Sequence, residues 1–397
     1  MSHLGYMEKL LDGVEVEWEA LGDIGKVSMC KRVLKHQTSS KGDVPFYKIG
    51  TFGKEPDAYI TRELFEEYKT KYSYPQAGEV LISASGTIGR TVIFDGQDSY
   101  FQDSNIVWIE NNESEILNKY LYYFYQIVNW NVAEGGTIKR LYNDNLRKIK
   151  VPIPPLNVQA EIVRILDTFT ELTAELTAEL TARQQQYAYY REQLLTFGEG
   201  EVIWEKLEDV ANFSNGKGHE KDISTDGRYV VVNSKFISTN GNAVKYSDKQ
   251  ICPLFINDIL IVMSDLPNGK ALAKTFFVEE DDKYTLNQRI GSITVKNNVN
   301  LLPKFLCYFL NRTPQLLKYD DGASQTNLRK GQIVGVRIPI PPLSEQERIV
   351  TILDKFDALT MSLTEGLPRE IELRQQQYEY YRDLLLSFPK PEVVAND

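Results

Sequence analysis

Apolar and aromatic residues recur at Ile162, Leu166, Phe169, Leu176, Leu180, Tyr187, Tyr190 and Leu194, with Thr173 and Arg183 at the remaining heptad places. Steps of three and four predict a long helix whose apolar stripe closes against another helix. The stripe is written again at Ile349, Leu353, Phe356, Thr360, Leu363 and Leu367 and resumes at Tyr381 and Leu384, so the natural partner of each helix is the other. In IPIPPLSEQE the prolines favour extended backbone, after which Ser344 is expected as N-cap with Glu347 at the capping-box spacing. The first helix is expected to begin near Asn157, and Gly366 with Pro368 to break or kink the second. Tyr187, Tyr190, Tyr378 and Tyr381 read as seam residues, and Gln159 and Gln346 as first-turn helix residues, in preference to contacts with a partner.

The chain is built twice. Glu134 to Phe169 matches Asp321 to Phe356 at an offset of 187, and ARQQQYAYYREQLLTF from Ala182 matches LRQQQYEYYRDLLLSF from Leu373 at an offset of 191. EVEWEALGDIGK from Glu15 matches EVIWEKLEDVAN from Glu201, which sets Trp18 opposite Trp204. The opening YMEKLLDG resembles a fragment of the repeated helix, so the terminal pieces are expected to complete each other about a pseudo-two-fold axis.

Between the shared parts, residues 20–150 and 207–337 diverge while keeping equal length. Both carry strand-like runs ending in a glycine turn, GEVLISASGTIGR and NDILIVMSDLPNGK, and a helical run, KYLYYFYQIVNW and LPKFLCYFLNR. The fold class expected is therefore α/β (α+β): two α/β domains in pseudo-two-fold arrangement, joined by two long antiparallel coiled-coil helices. The divisions are 1–19, 20–150, 151–206, 207–337 and 338–397, the first, third and fifth being the shared segments.

A net charge of -10 over 397 residues counts against a nucleic-acid partner until it is located along the chain. Residues 20–150 and 207–337 net +1 and +3, and the acidity belongs to the shared segments. Three scattered cysteines, Cys30, Cys252 and Cys307, argue against a disulfide framework or cysteine zinc site. His3, His36 and His219 stand far apart, no HExxH occurs, and GTIGR at Gly86 to Arg90 lacks the Lys-Ser/Thr pair of a phosphate loop. An NPPY-like motif is absent and Pro56-Asp57 has no persuasive ExK partner, so no metal and no catalytic residue is assigned. With no apolar run long enough to span a bilayer and no signal-peptide pattern, the expectation is a cytoplasmic protein without a membrane partner.

IPxPPLxxQxxIVxILDxF twice, RQQQYxYYR twice, the repeat TAELTAEL at Thr173 to Leu180, and two divergent domains alternating with them resemble the specificity subunits of Type I restriction–modification systems, the TAEL pair resembling the IC subgroup. At residue level the resemblance is strong in the shared segments, roughly 6–19, 151–206 and 338–390. It implies that the variable segments are target-recognition domains, each reading half of a split double-stranded DNA sequence across a spacer set by the helices. It also implies partners: two modification (methyltransferase) subunits holding S-adenosylmethionine for adenine methylation, and restriction subunits using ATP and Mg for translocation and cleavage. No cofactor is implied for this chain, and no catalysis. Four residues of helix rise ~6 Å, so the TAEL repeat acts as a ruler. A coiled-coil interaction scaffold without DNA specificity is the alternative, separable by the steep salt dependence of a DNA reader.

Polar and basic residues in the glycine-rich turns and beside them are the candidate DNA contacts. In the first domain these are Lys31, Arg32, Lys35, Ser85, Thr87, Arg90, Lys139 and Arg140. In the second they are Asn215, Lys217, His219, Ser264, Lys270, Gln325, Asn327, Arg329 and Lys330. For each, the competing reading is an ordinary solvated side chain.

Overall fold

The computed structural model describes residues 10–11, 13–14, 16–130, 140–198, 200–219, 221–267, 269–362 and 365–389. The chain divides into two units, Met1–Glu175 with Glu372–Asp397, and Leu176–Ile371. His3, Lys139, Leu363 and most of the opening YMEKLLDG lie outside the described residues.

In the first unit the strands Val27–Ser28, Ile106–Ile109, Val80–Ser83 and Thr91–Ile93 form, in that order, an antiparallel sheet. Val80–Ser83 and Ile106–Ile109 are buried along their whole length. Both sheet faces are covered, so these strands read as continuous apolar runs and not as alternations. On one side Leu81 and Trp108 join an aromatic cluster with Phe65 and Tyr100. On the other, Ile82 and Val107 meet the helix Asn118–Tyr125. A smaller sheet orders Tyr59–Ile60, Val44–Tyr47 and Tyr100–Phe101, its last pair parallel.

The second unit repeats the plan. Ala211–Asn215, Ile290–Val295, Ile259–Val262 and Thr275–Phe277 form the antiparallel sheet, and Tyr229–Val232 runs parallel to Tyr284–Leu286 in the smaller one. The helix Pro303–Leu310 takes the place of Asn118–Tyr125. Each unit also carries a two-stranded ribbon, with Trp18 opposite Pro152 in one and Trp204 opposite Pro339 in the other. The duplicated sequence thus folds into two α/β domains of one topology.

The shared segments are helices Leu156–Leu195, Leu343–Thr360 and Gly366–Leu386. The expectation that Ser344 caps the second helix is corrected. That helix begins two residues earlier than such a cap requires, at Leu343 with Pro342 in the cap position, and no side chain caps it. Pro342, in extended conformation with ψ 144, ends the proline run itself, and its carbonyl already accepts the amides of Glu345 and Gln346. The break expected at Gly366 and Pro368 is present, between Thr360 and Gly366. Gly366 has φ 76, which only glycine adopts without strain. Pro368 falls in the first turn of the new helix, where its missing N–H costs nothing.

Helix pairing is seen within each unit. In the first, Ile162 and Leu166 are fully buried in the cluster that also holds Leu385 and Leu386, and the Phe169 and Tyr381 rings stack at 5.3 Å. In the second, Phe356 lies 5.8 Å from Tyr187 and 5.9 Å from Tyr190, while Ile349 and Leu353 are fully buried. Tyr378 differs from its repeat in donating to Gln126 Oε1 at 2.7 Å. In the TAEL repeat Leu176 and Leu180 are half-buried.

Gln159 and Gln346 are fully buried. Gln159 Nε2 donates to the carbonyls of Pro154 and Glu115 at 2.7 and 2.8 Å, and its Oε1 accepts from Leu117 N at 2.8 Å. Gln346 repeats the arrangement with Pro341, Asn300 and Leu302. Each glutamine therefore ties the first turn of a shared helix to the start of the recognition-domain helix. A buried amide needs such partners for both ends.

The duplication is chemically uneven about two turns farther on. In the first unit Asp167 accepts from Tyr123 Oη at 2.5 Å and Lys119 Nζ at 2.6 Å. In the second, Tyr308 Oη lies 2.5 Å from Asp354 Oδ1 and 2.9 Å from Asp357 Oδ2, with Thr170 occupying the repeat position of Asp357. Burial pushes the Asp357 carboxyl above its ordinary value, against hydrogen bonds from Tyr308 and Tyr187 that pull it down.

Candidate nucleic-acid interface

Three stretches distant in sequence meet at the same end of each sheet. In the first unit the Ala84 amide donates to the Asn105 carbonyl at 2.8 Å, and the Leu141 amide donates to the Ala84 carbonyl at 2.8 Å. In the second, Met263 N donates to Arg289 O at 3.0 Å and Leu328 N to Met263 O at 2.7 Å. The pairing continues as an isolated bridge between Ser85 and Arg140 and as the two-stranded ribbon of Ser264–Asp265 with Thr326–Asn327. Backbone bonds equate Asn105 with Arg289, Ser85 with Ser264, and Arg140 with Asn327, although only the last pair is visible in the repeat.

In the first domain Arg32, Lys35, Lys48, Gln102, Asp103, Ser104, Asn105 and Arg140 line a concavity of about 600 Å³. Arg140 Nη2 donates to Ser104 O at 2.8 Å, and Ser85 Oγ donates to Asn105 Oδ1 at 2.9 Å. Lys48 is paired with Asp57 at 2.8 Å. Arg32 and Lys35 are exposed and leave positive charge facing the opening. Such a basic, concave surface rich in amide and hydroxyl groups can neutralise phosphate and offer donors and acceptors to base edges.

Other sequence candidates of this domain have internal duties. Lys31 Nζ sits 5.0 Å from the centroid of the Tyr72 ring. Arg90 donates to Phe52 O at 3.0 Å and approaches Thr87 Oγ1 at 3.5 Å, bracing the turn in which Thr87 itself is exposed. Gly89 in that turn has φ 83, and a Cβ there would stand 2.1 Å from Trp130 Nε1, so position 89 tolerates no side chain.

In the second domain Gln325 Nε2 donates to Ser264 Oγ at 2.9 Å, with Ser264 buried and Asn327 exposed beside it. Lys217 N donates to Leu286 O at 3.2 Å and Lys217 bridges Asn287, while Asn215 pairs with Gly291. The exposed side chains of Asn215 and Lys217 thus flank the loop Asn287–Arg289. His219 is 1% exposed, and its Nδ1 and Nε2 lie 2.8 Å from Lys217 O and 2.9 Å from Thr285 Oγ1. Both ring nitrogens are thus engaged inside the protein, and the ring braces the Lys217 segment. Lys270 is exposed, its carbonyl accepting from Arg312 at 2.6 Å. Arg329 and Lys330 are exposed at the start of the helix Lys330–Val334.

Sequence reading missed the loops Gln102–Asn105 and Asn287–Arg289. Their signal is a short polar interruption between buried runs, YF before IVWI and YTL before IGSITV. Nothing local places these loops beside turns many residues away. Among the described residues no group of His, Cys, Asp or Glu is placed to hold a metal ion, and no helix is long and apolar enough to cross a membrane. Burial pushes the thiols of Cys30 and Cys307 up to about 12 and about 11, so neither is an activated nucleophile.

What these observations define is a duplicated recognition protein, two α/β domains each presenting a polar, loop-built surface from one backbone frame. The chain belongs to the family of Type I restriction modification DNA specificity domains, which it matches twice, over residues 15–183 and 201–373. It is 38% identical to the EcoR124I/EcoR124II specificity subunit of Escherichia coli over the full length of both chains. Against a type I restriction enzyme specificity subunit assigned in Haemophilus influenzae it is 64% identical over 197 residues, covering 48% of this chain and 51% of that one. In fold it resembles the Type I restriction–modification S subunit of M. genitalium, with a TM-score of 0.58 at 14% identity over 96% of this chain and 98% of the other. The protein is thus a Type I restriction–modification DNA specificity subunit, itself non-catalytic.

Proposed function

We propose that residues 20–150 and 207–337 are target-recognition domains that each read one half of a bipartite double-stranded DNA site. The shared segments 1–19, 151–206 and 338–397 then carry the helices that set the spacer. In this reading two modification subunits dock on the shared segments and methylate adenine with their own S-adenosylmethionine, and restriction subunits join with ATP and Mg. The site of action is cytoplasmic. The observation that carries the reading is the common frame with different side chains at equivalent places, Asn105 against Arg289 and Arg140 against Asn327. A fixed scaffold with exchangeable polar groups is what two different base sequences require.

Single-molecule sequencing of adenine methylation tests it, in cells expressing this chain with its cognate modification subunit and in cells expressing the modification subunit alone. A bipartite motif dependent on this chain is the expected result. No motif, despite a complex proven to contain both proteins, overturns the reading in favour of a scaffold.

A further inference from the structure

We propose that Arg289 is a specificity-determining residue of the second domain and reads a guanine; this rests on the DNA-reading function proposed above. Its backbone is fixed. The Arg289 carbonyl accepts from Met263 N at 3.0 Å, the Met263 carbonyl accepts from Leu328 N at 2.7 Å, and the next residue, Ile290, is fully buried at the head of a central strand. The side chain is exposed, and among the described residues its guanidinium has no hydrogen-bond, ion-pair or ring partner.

Elsewhere in the chain arginines are mostly engaged. Arg62 binds Asp98, Arg140 binds Ser104 O, Arg191 binds Tyr308 O, and Arg312 binds Lys270 O. Arg32, exposed in the lining of the first domain's concavity, shares the unengaged state of Arg289 among the described residues. A planar fork with free donors on an immobile backbone suits the paired acceptors O6 and N7 of guanine in the major groove.

Lys217, exposed beside this loop, supplies a point charge suited to a phosphate, which leaves the Arg289 fork for a base edge. Asn287 and the Ser264–Asn327 ribbon supply neutral donors and acceptors next to Arg289. The equivalent place in the first domain holds Asn105, whose Oδ1 is occupied by Ser85 Oγ at 2.9 Å. The two domains therefore present different hydrogen-bonding groups from one backbone position, and the half-sites differ in the base read there.

The test compares methylation motifs in cells expressing the modification subunit with the wild-type chain, R289A or R289K. If the wild type itself yields no bipartite motif, the DNA-reading function fails, and this assignment with it. Given a wild-type motif, R289A is expected to relax one G·C position in one half-site, lowering discrimination there on the order of tenfold or more. The other half-site and the spacer stay unchanged. R289K, a point charge without the fork, does not restore that position. An unchanged motif in R289A overturns the assignment. So does a uniform loss of methylation at all sites that R289K restores, which identifies a phosphate contact.

Discussion

Leu117 N donates to Oε1 of Gln159 at 2.8 Å, joining residues 42 apart. The bond sets where the recognition-domain helix begins relative to the shared helix, and Gln346 with Leu302 does the same in the second unit. A residue type repeated in a motif is thus accounted for by an internal clip.

Gln159→Leu removes all three bonds, of which the one to the Pro154 carbonyl is buried and those with Leu117 N and the Glu115 carbonyl are part-buried. With a buried orphan costing ~1–3 kcal/mol and the part-buried groups open to water, the expected destabilisation is in that range, and Gln346→Leu behaves alike. Denaturant unfolding followed by hydrogen exchange checks it, the loss falling on the first unit for Gln159 and on the second for Gln346. A variant as stable as wild type would remove the clip from the account.

The C-terminal helix completes the core of the first unit, where Leu385 is 0% and Leu386 2% exposed, and the Trp18 indole donates to Pro389 O at 2.8 Å. Leu386→Ala should cost ~2–5 kcal/mol. It should raise protease sensitivity in residues 16–130, although the substitution lies far along the chain. Selective loss in the second unit would contradict the division described.

Asp357 carries a pH signature. Its native pKa is raised above the ordinary 3.8 by burial, so between these values the folded state binds more protons than the unfolded chain. Stability therefore rises as pH falls through the native value, and is lost as pH increases through it. Asp357→Asn cannot titrate and should flatten this component. Melting temperatures of both proteins between about pH 3 and 8, a range that brackets the ordinary values of carboxylates and histidine, measure the difference. Parallel profiles would show that Asp357 does not titrate in this way.

Arg32 and Lys35 line the concavity and are exposed, and among the described residues their charged groups have no ion-pair partner. Alanine at both should weaken DNA binding by the assembled complex and reduce the salt slope of the logarithm of affinity by about two, at ~0.9 per phosphate contact. Competition binding over a salt series reads this directly, and an unaltered slope would place the DNA backbone elsewhere.

Duplication, the two variable domains and the helical seam were legible in the sequence because each rests on repetition or periodicity, which survive without knowledge of distant contacts. Tyr187, Tyr190 and Phe356 pack as the heptad stripe implies. The start of the helix at Leu343 was misplaced by two residues, because a proline run and a capping serine compete locally and the carbonyl of Pro342 accepts the first amides. The interface was legible only in part. Arg140 and Asn327 fall at matching places in the repeat, whereas Asn105 and Arg289 lie in segments of unrelated sequence and are equated by backbone hydrogen bonds alone. Likewise His219, polar and glycine-flanked in sequence, is enclosed by Thr285 and Lys217.

What the sequence determined by itself is the architecture of two domains on shared helices, since local periodicity and an internal copy specify which segments are alike. Which side chains face outward together was decided only in the tertiary structure. Strand pairing brings Ala84, Asn105 and Leu141 into one hydrogen-bonded frame, and pairing between distant segments depends on the packing of the whole core, which no local pattern encodes.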